Sequence, residues 1–240
     1  MRTAVIACAV IGIVTVAATL AVGHRTFGSQ RATEEYGQQL MTQTPRYLGR
    51  FMGNRLACAS CHIRAGAEPG ELSLVSAVDR GVAAVKDRIN NCMTSNLNGR
   101  HMPRDGEEMT AIVAWLQFLA DQNAATGESE RASHDPPAFQ APGRAADQEV
   151  GSQLFEKRCA DCHGKDGGGL PASKNQADGY LFPPLWGPGS FTEGSDMHGV
   201  PTAARFIKAK MPLGRADLSD DEAFDVAAFI ESKARPHGPH

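Results

Sequence analysis

The sequence lacks both a strong net charge and any strand pattern of useful length. Of its 240 residues, 24 are lysine or arginine and 27 are aspartate or glutamate, which gives a net charge of −3. Proteins that bind nucleic acid depend on an excess of basic residues, so this composition does not indicate that class. Apolar residues recur instead at helical spacing, and this pattern predicts an all-α fold.

Charged residues are absent between Ala4 and Val22, directly after Arg2. A mostly apolar run that follows a basic residue is typical of an export signal or a membrane anchor. We therefore assign residues 1–30 to a signal peptide or an N-terminal anchor helix. Either one places the rest of the chain in the periplasm, with membrane contact only through this segment.

The six cysteines leave one without an obvious role. Cys8 lies in the apolar run, and Cys92 stands alone. The other four belong to two Cys-x-x-Cys-His motifs, Cys58/Cys61/His62 and Cys159/Cys162/His163. This motif attaches haem through two thioethers, and its histidine binds the iron. Zinc binding needs further ligands at matching spacing, and thiol redox chemistry needs a βαβ context, so we predict two covalently bound haems c.

The two halves of the chain form an internal repeat, because each motif is followed by a Met-Pro pair and an amphipathic helix. The Met-Pro pairs are Met102-Pro103 and Met211-Pro212, and the predicted capping boxes are Asp105/Glu108 and Ser219/Glu222. We expect two tandem cytochrome c domains, over residues 31–123 and 148–240. A linker rich in Pro, Ala and Gly joins them over residues 124–147.

The second axial ligand decides what each haem can do. For the second haem, Met211 is the expected ligand opposite His163, with Met197, His198 and Lys210 as alternatives. For the first haem the residues leave two candidates open. Met102 is the counterpart of Met211 in the repeat, whereas iron ligation of Cys92 explains an unpaired thiol in an exported protein.

Acidic residues are also absent around the first motif, between residues 36 and 67, and again between residues 88 and 104. Seven arginines lie in or at the ends of these stretches: Arg46, Arg50, Arg55, Arg64, Arg88, Arg100 and Arg104. Arginine binds oxyanions with a rigid fork of N–H donors. The pattern favours an anion site beside the first haem.

Several stretches resemble the tetrathionate-forming thiosulfate dehydrogenases, a family of two-haem cytochromes c. They are 53–62, 88–92 with Asn98-Gly99 downstream, 182–188, and 206–212. The resemblance implies that Cys92 binds the catalytic haem and that Arg88 binds substrate. It also implies Met211 as the ligand of the second haem, with Lys210 competing for the iron in some members. The family often has Arg-Ser three and four residues after the ligating cysteine, where this chain has Ser95-Asn96.

The predicted function is the oxidation of two thiosulfates to tetrathionate, with electrons leaving through the second haem to an external acceptor, another c-type cytochrome or a high-potential carrier. Cys92, Arg88, Asn96 and Arg100 are the expected catalytic and substrate-binding residues, and Arg64 is a further candidate for the anion site. Three alternatives stay open: tetrathionate reduction at the same site, an electron carrier with Met102 on the first iron, and a relative that transfers sulfur to a partner protein.

Overall fold

The computed structural model describes residues 29–67, 78–125 and 139–238. Its α-helices are α1 (29–42), α2 (Thr44–Leu48), α3 (Val82–Ser95), α4 (Glu107–Ala125), α5 (Gln148–Arg158), α6 (Ala160–His163), α7 (Val200–Lys210) and α8 (Asp220–Glu231). Short 3-10 turns occupy Gly49–Phe51, Cys58–Ser60, Ile63–Gly66 and Gln176–Asp178, and two short antiparallel strands, β1 (Leu170–Pro171) and β2 (Tyr180–Phe182), form a ribbon. The predicted all-α fold is confirmed.

In the first half, α1 crosses α4 at Gly37. A Cβ atom on Gly37 would lie 2.0 Å from the carbonyl oxygen of Ala111 and 2.8 Å from the Cβ of Trp115. Because two backbones approach this closely only where a side chain is missing, the glycine sets the spacing of the two helices. The predicted apolar face of α4 packs in this core: Met109, Ile112, Val113 and Leu116 are buried, and Leu119 is partly buried.

The second half repeats this crossing between α5 and α8. A Cβ on Gly151 would lie 2.0 Å from the carbonyl oxygen of Asp225 and 3.1 Å from the Cβ of Phe229. The predicted core residues of α8 are buried or partly buried: Phe224, Val226, Ala227 and Ile230. The internal repeat thus extends to a glycine in each N-terminal helix, which the motif-based prediction did not single out.

The predicted capping boxes have opposite outcomes. Ser219 caps α8 through its hydroxyl, and Glu222 returns a hydrogen bond to the Ser219 N–H. The Asp105/Glu108 box was wrong, since α4 begins at Glu107. Asp105 instead accepts a hydrogen bond from Lys86 at 3.0 Å, and Glu108 pairs with Arg50. Two tertiary ion pairs occupy the carboxylates that a local cap would have used.

The described end of the predicted linker already belongs to the packing of the second half. The rings of Phe139 and Phe224 lie 6.3 Å apart, and Arg144 donates two hydrogen bonds to the buried carboxylate of Asp225, at 2.8 and 2.9 Å. The remainder of that segment, 126–138, lies outside the described residues. The domain boundaries themselves stay a prediction.

The apolar run from Ala4 to Val22 also lies outside the described residues. Within residues 29–67, 78–125 and 139–238, no helix has the length and hydropathy needed to cross a bilayer. The predicted signal or anchor is therefore neither supported nor contradicted by the fold.

The two halves contact each other through the 3-10 turn that precedes β2. Arg46 forms an ion pair with Asp178 at 2.6 Å. Arg55 donates to the carbonyl oxygens of Gln176 and Gly179, at 3.1 and 3.2 Å. Two arginines from the acid-free stretch around the first motif thus bind the second half instead of a small anion.

Candidate active site

The first Cys-x-x-Cys-His motif forms a tight turn anchored on α2. The Cys58 N–H donates to Oγ1 of the buried Thr44 at 2.9 Å, and the His62 N–H donates to the Cys58 carbonyl at 2.9 Å. These bonds fold the motif back on itself. As a result both cysteines and the histidine line one cavity.

This cavity has mostly apolar walls. One face of α3 forms a wall, because residues three and four apart lie on the same side of a helix. That face consists of Val85, Arg88, Ile89, Cys92, Met93 and Asn96. Paired thiols, an imidazole and apolar walls are the parts that a covalently attached haem requires, so these residues fit the group.

Cys92 lies in the same cavity as the motif and close to it. Burial raises the pKa of the Cys58 thiol to about 11, and the nearby Cys92 contributes to that increase. Burial also raises the pKa of Cys92 and the Asp196 carboxylate adds to that increase, whereas Arg88 and a hydrogen bond from Asn96 act in the opposite direction. A cation and an amide donor therefore stand beside the sulfur and stabilise its thiolate form.

Residues 190–197 of the second half, which we term the closing segment, complete the cavity. Phe191 and Met197 contribute to its walls. Asp196 forms an ion pair with Arg88, whose side chain is 44% exposed while that of Asp196 is 64% exposed. The sequence predicts Met197 as an alternative ligand of the second haem, but the side chain lines the cavity of the first motif. No local sequence signal predicts the closing segment.

Backbone and side-chain hydrogen bonds fix the closing segment on the end of α3. Thr192 donates to the Ser95 carbonyl from both its N–H, at 3.0 Å, and its hydroxyl, at 2.7 Å. The Ser195 hydroxyl donates to the side-chain oxygen of Asn96. Because that oxygen already accepts a hydrogen bond, the amide nitrogen of Asn96 is the atom that donates to the Cys92 sulfur.

Two other predicted residues lie elsewhere. The guanidinium of Arg100 stacks on Phe51 with 5.7 Å to the ring centroid and donates to the Arg50 carbonyl, and Arg100 does not line the cavity. Met102 is 3% exposed and packs in the first hydrophobic core without lining the cavity. Its backbone is held by Asn90, which accepts from the Met102 N–H at 2.8 Å and donates to its carbonyl at 3.1 Å.

The second motif presents its histidine in a fixed orientation. The Nδ1 atom of His163 lies 2.8 Å from the carbonyl oxygen of Pro183, so it carries the proton and leaves Nε2 free to bind a metal. Burial lowers the pKa of His163, and the Pro183 hydrogen bond opposes that shift. Burial also raises the pKa of Cys159 to about 11. A neutral, oriented imidazole is the form that binds haem iron.

Met211 follows the last residue of α7. Its N–H donates to the Ile207 carbonyl at 2.9 Å, and its side chain packs on the second hydrophobic core, which includes Phe155 and Ala204. Lys210 is the final residue of α7, directly before it. Met211 and Cys159 thus pack against the same hydrophobic core.

Comparison with known proteins finds a family match in the second half and relatives that cover most of the chain. Residues 148–234 match the family described as cytochrome c. A thiosulfate dehydrogenase of Allochromatium vinosum is 39% identical over 215 residues, covering 83% of this chain and 77% of that protein. A thiosulfate dehydrogenase of Stutzerimonas stutzeri is 34% identical, covering 85% of this chain and 68% of that protein.

A solved structure is also similar. It is the thiosulfate dehydrogenase TsdBA from Marichromatium purpuratum in its "as isolated" form, with a TM-score of 0.72 and 31% sequence identity. The alignment covers 85% of this chain but only 46% of that one, so this chain spans less than half of the solved protein.

Proposed function

The chain belongs to the thiosulfate dehydrogenase family, and we propose that it joins two thiosulfate dianions into one tetrathionate dianion in the cavity of Cys92. A sulfur–sulfur bond forms between the two substrates, and two electrons leave to an external acceptor. The observation that carries this proposal is that Arg88, Cys92 and the first haem-attachment motif all line one apolar cavity.

We propose two haems c, one attached at Cys58 and Cys61 and the other at Cys159 and Cys162. When bound, each haem supplies an iron that takes up and gives up one electron at a time, which suits a reaction releasing two electrons. His62 and His163 would bind the two irons. The match to the cytochrome c family covers the second motif only. The cavity around the first motif supports the first attachment.

Cys92 is the proposed second ligand of the first iron. It shares the cavity with His62, whereas Met102 lies outside the cavity lining and is buried in the core. Moving Met102 into the cavity would break its backbone hydrogen bonds to Asn90, which is itself 5% exposed. Buried hydrogen-bonded pairs of this kind are costly to separate.

Arg88 and Asn96 are the proposed substrate-binding residues. Two dianions repel each other, and a guanidinium at an apolar cavity offsets their charge most effectively where water is scarce. Without substrate, Arg88 forms an ion pair with Asp196, so substrate must displace this carboxylate. Asn96 supplies amide donors to an oxyanion but no charge, which makes Arg88 the main source of electrostatic stabilisation at this site.

Electrons are proposed to leave through the second haem, with Met211 opposite His163. Lys210 directly precedes Met211 and could bind the same iron in its place. Thioether ligation raises a haem's reduction potential, which suits the exit step. The acceptor is proposed to be another c-type cytochrome or a high-potential carrier. Export to the periplasm stays a prediction from the N-terminal apolar run.

A steady-state assay of the purified haem-loaded chain tests the proposal. With thiosulfate and ferricyanide we expect two ferricyanides reduced per tetrathionate formed, without a partner protein. The reverse assay, with tetrathionate and a reduced viologen, measures the other direction. Absence of both activities, with two haems attached, would favour a simple electron carrier.

The variants Cys92→Gly and Met102→Leu separate the two candidate ligands. We expect Cys92→Gly to abolish turnover and change the haem absorption and electron paramagnetic resonance spectra. Met102→Leu removes the competing sulfur at similar volume and should leave both spectra and turnover in place. The reverse pattern would assign the first iron to Met102 and contradict the proposed role of Cys92.

A further inference from the structure

The turn after His62 has an unusual backbone. Arg64 and Ala65 both adopt left-handed angles, with φ of 53° and 57°, and Gly66 follows with φ of 83°. Across residues 29–67, 78–125 and 139–238, Asn98 is the only further non-glycine residue with a positive φ. Left-handed angles place the Cβ of an L-residue too close to the following carbonyl oxygen, so they are strained at arginine and alanine. Such a conformation persists only where the surrounding structure holds it.

A hydrogen bond from Trp115 on α4 holds this turn. The indole Nε1–H of Trp115 donates to the Ala65 carbonyl at 2.9 Å, and both residues are buried. On the other side, the Gly66 N–H donates to the His62 carbonyl at 3.3 Å. The Ala65 carbonyl and the Gly66 N–H belong to the same peptide group, so this one group connects Trp115 to the backbone of His62. Hydrogen bonds linked in this way polarise and strengthen one another.

The turn after the second motif is built differently. Gly164 directly follows His163 and adopts φ of 77°, which is not strained because glycine has no Cβ. At the crossing of α5 and α8, Phe229 occupies the place that Trp115 has in the first half, and a phenyl ring has no hydrogen-bond donor. The indole N–H is therefore found in the half whose turn is strained.

Packing explains the ring of Trp115 but not its N–H. The ring stacks on Phe118 with 5.5 Å between the centroids. Phe229 shows that a phenyl ring is sufficient for the equivalent helix crossing. A buried indole needs a partner for its N–H, and here that partner is the peptide group that leads to His62.

We propose that Trp115 is a positioning residue for His62, an inference that rests on the proposed binding of the first iron by His62. Through the peptide group between Ala65 and Gly66, Trp115 fixes the backbone of His62, whose side chain lines the first cavity. Outer partners that orient a ligating histidine tune the metal that it binds. Trp115 therefore affects the first haem without lining its cavity.

Electron paramagnetic resonance of the full haem-loaded chain in its ferric form tests this with Trp115→Phe, which keeps an aromatic ring and removes the N–H. The g values of the first haem should move, and those of the second should stay in place. In the steady-state assay kcat should fall by up to about tenfold, the lower end of the effect of losing an outer partner, and KM should change less. Phe118→Leu is the control, because it loosens the stack on Trp115 and leaves the hydrogen bond intact. First-haem g values that do not move, or that move equally in Phe118→Leu, would overturn the proposal.

Ala65→Gly provides a second test if Trp115→Phe does not accumulate. Glycine adopts left-handed angles unaided, so the double variant Trp115→Phe/Ala65→Gly should accumulate with two haems attached. If the double variant also fails to accumulate, Trp115 serves the core alone and the proposal is overturned. The pyridine haemochrome spectrum of the wild type measures the proposed haem attachment separately. Two haems with unmoved g values contradict only the role of Trp115, whereas fewer than two contradict the attachment itself.

Discussion

Replacing Asp196 with Asn should make thiosulfate bind more tightly. Asp196 pairs with Arg88. In the proposed function Arg88 binds thiosulfate, so the substrate would have to displace this carboxylate. Asn is nearly isosteric with Asp but carries no charge. The variant therefore removes the internal competitor and keeps the neighbouring hydrogen bonds of Thr192 and Ser195 to the end of α3.

The magnitude follows from the exposure of the pair. The side chains are 44% and 64% exposed, so the ion pair is a surface pair. Such pairs contribute about 0.2–1 kcal/mol. Since about 1.4 kcal/mol corresponds to a tenfold change in a dissociation constant, the upper part of this range gives a decrease of about two- to fivefold in KM. The value of kcat should change less, because the competing contact affects binding.

Asp87→Asn is a closely matched control. Asp87 pairs with Arg104, whose side chain is 45% exposed, and that of Asp87 is 63% exposed. Neither residue lines the cavity, although Asp87 lies on the same helix as Arg88. Steady-state kinetics with thiosulfate and ferricyanide at fixed ionic strength compare the two variants. If KM in Asp196→Asn is no lower than in Asp87→Asn, the idea that Asp196 competes with substrate is refuted.

Two predictions concern stability. Gly151→Ala should lower the free energy of unfolding by about 1–3 kcal/mol, because the added methyl group would meet a backbone carbonyl at 2.0 Å. Thermal unfolding measures this, and Gly143→Ala, with nothing within 4 Å of the added atom, should have little effect. The second prediction concerns the pKa of Asp225. Burial raises this pKa, but hydrogen bonds from Arg144 and a backbone N–H outweigh the effect of burial, so the pKa lies below the ordinary 3.8. The resulting stability is present above that value and lost as pH falls through the lower, folded-state pKa. Arg144→Gln should destabilise the protein at neutral pH and flatten the loss below pH 4 (about the unfolded Asp value), whereas Lys165→Gln, which breaks an exposed pair, should do neither. Equal melting curves for these last two variants would contradict the reasoning.

The sequence was most informative where chemistry depends on local spacing. The residues of a Cys-x-x-Cys-His motif are close because they are neighbours in the chain, so their convergence needs no tertiary information. Helical periodicity likewise predicted the buried faces of α4 and α8. The family prediction is confirmed by relatives that are 39% and 34% identical over most of the chain. Arg88, Cys92 and Asn96 line the cavity together because each is four residues from the next along α3 and its C-cap.

Long-range contacts were not predictable in the same way. Arg88 and Asp196 are separated by 108 residues, and no local pattern relates them. The acid-free stretches favour an anion site, yet two of their arginines, Arg46 and Arg55, bind the second half. Their partners depend on how two halves pack. The prediction of the first capping box was wrong for the same reason, since Asp105 and Glu108 form tertiary ion pairs with Lys86 and Arg50.

The closing segment has a consequence for modularity. Although the chain has an internal repeat, its first half alone does not form the whole cavity, because Phe191 and Met197 are supplied by the second half. Nor can the second half be exchanged for an arbitrary cytochrome, since a replacement would have to carry its own version of residues 190–197. A substitution in residues 190–197 is therefore expected to change the cavity of the first half as well as the second half that carries it.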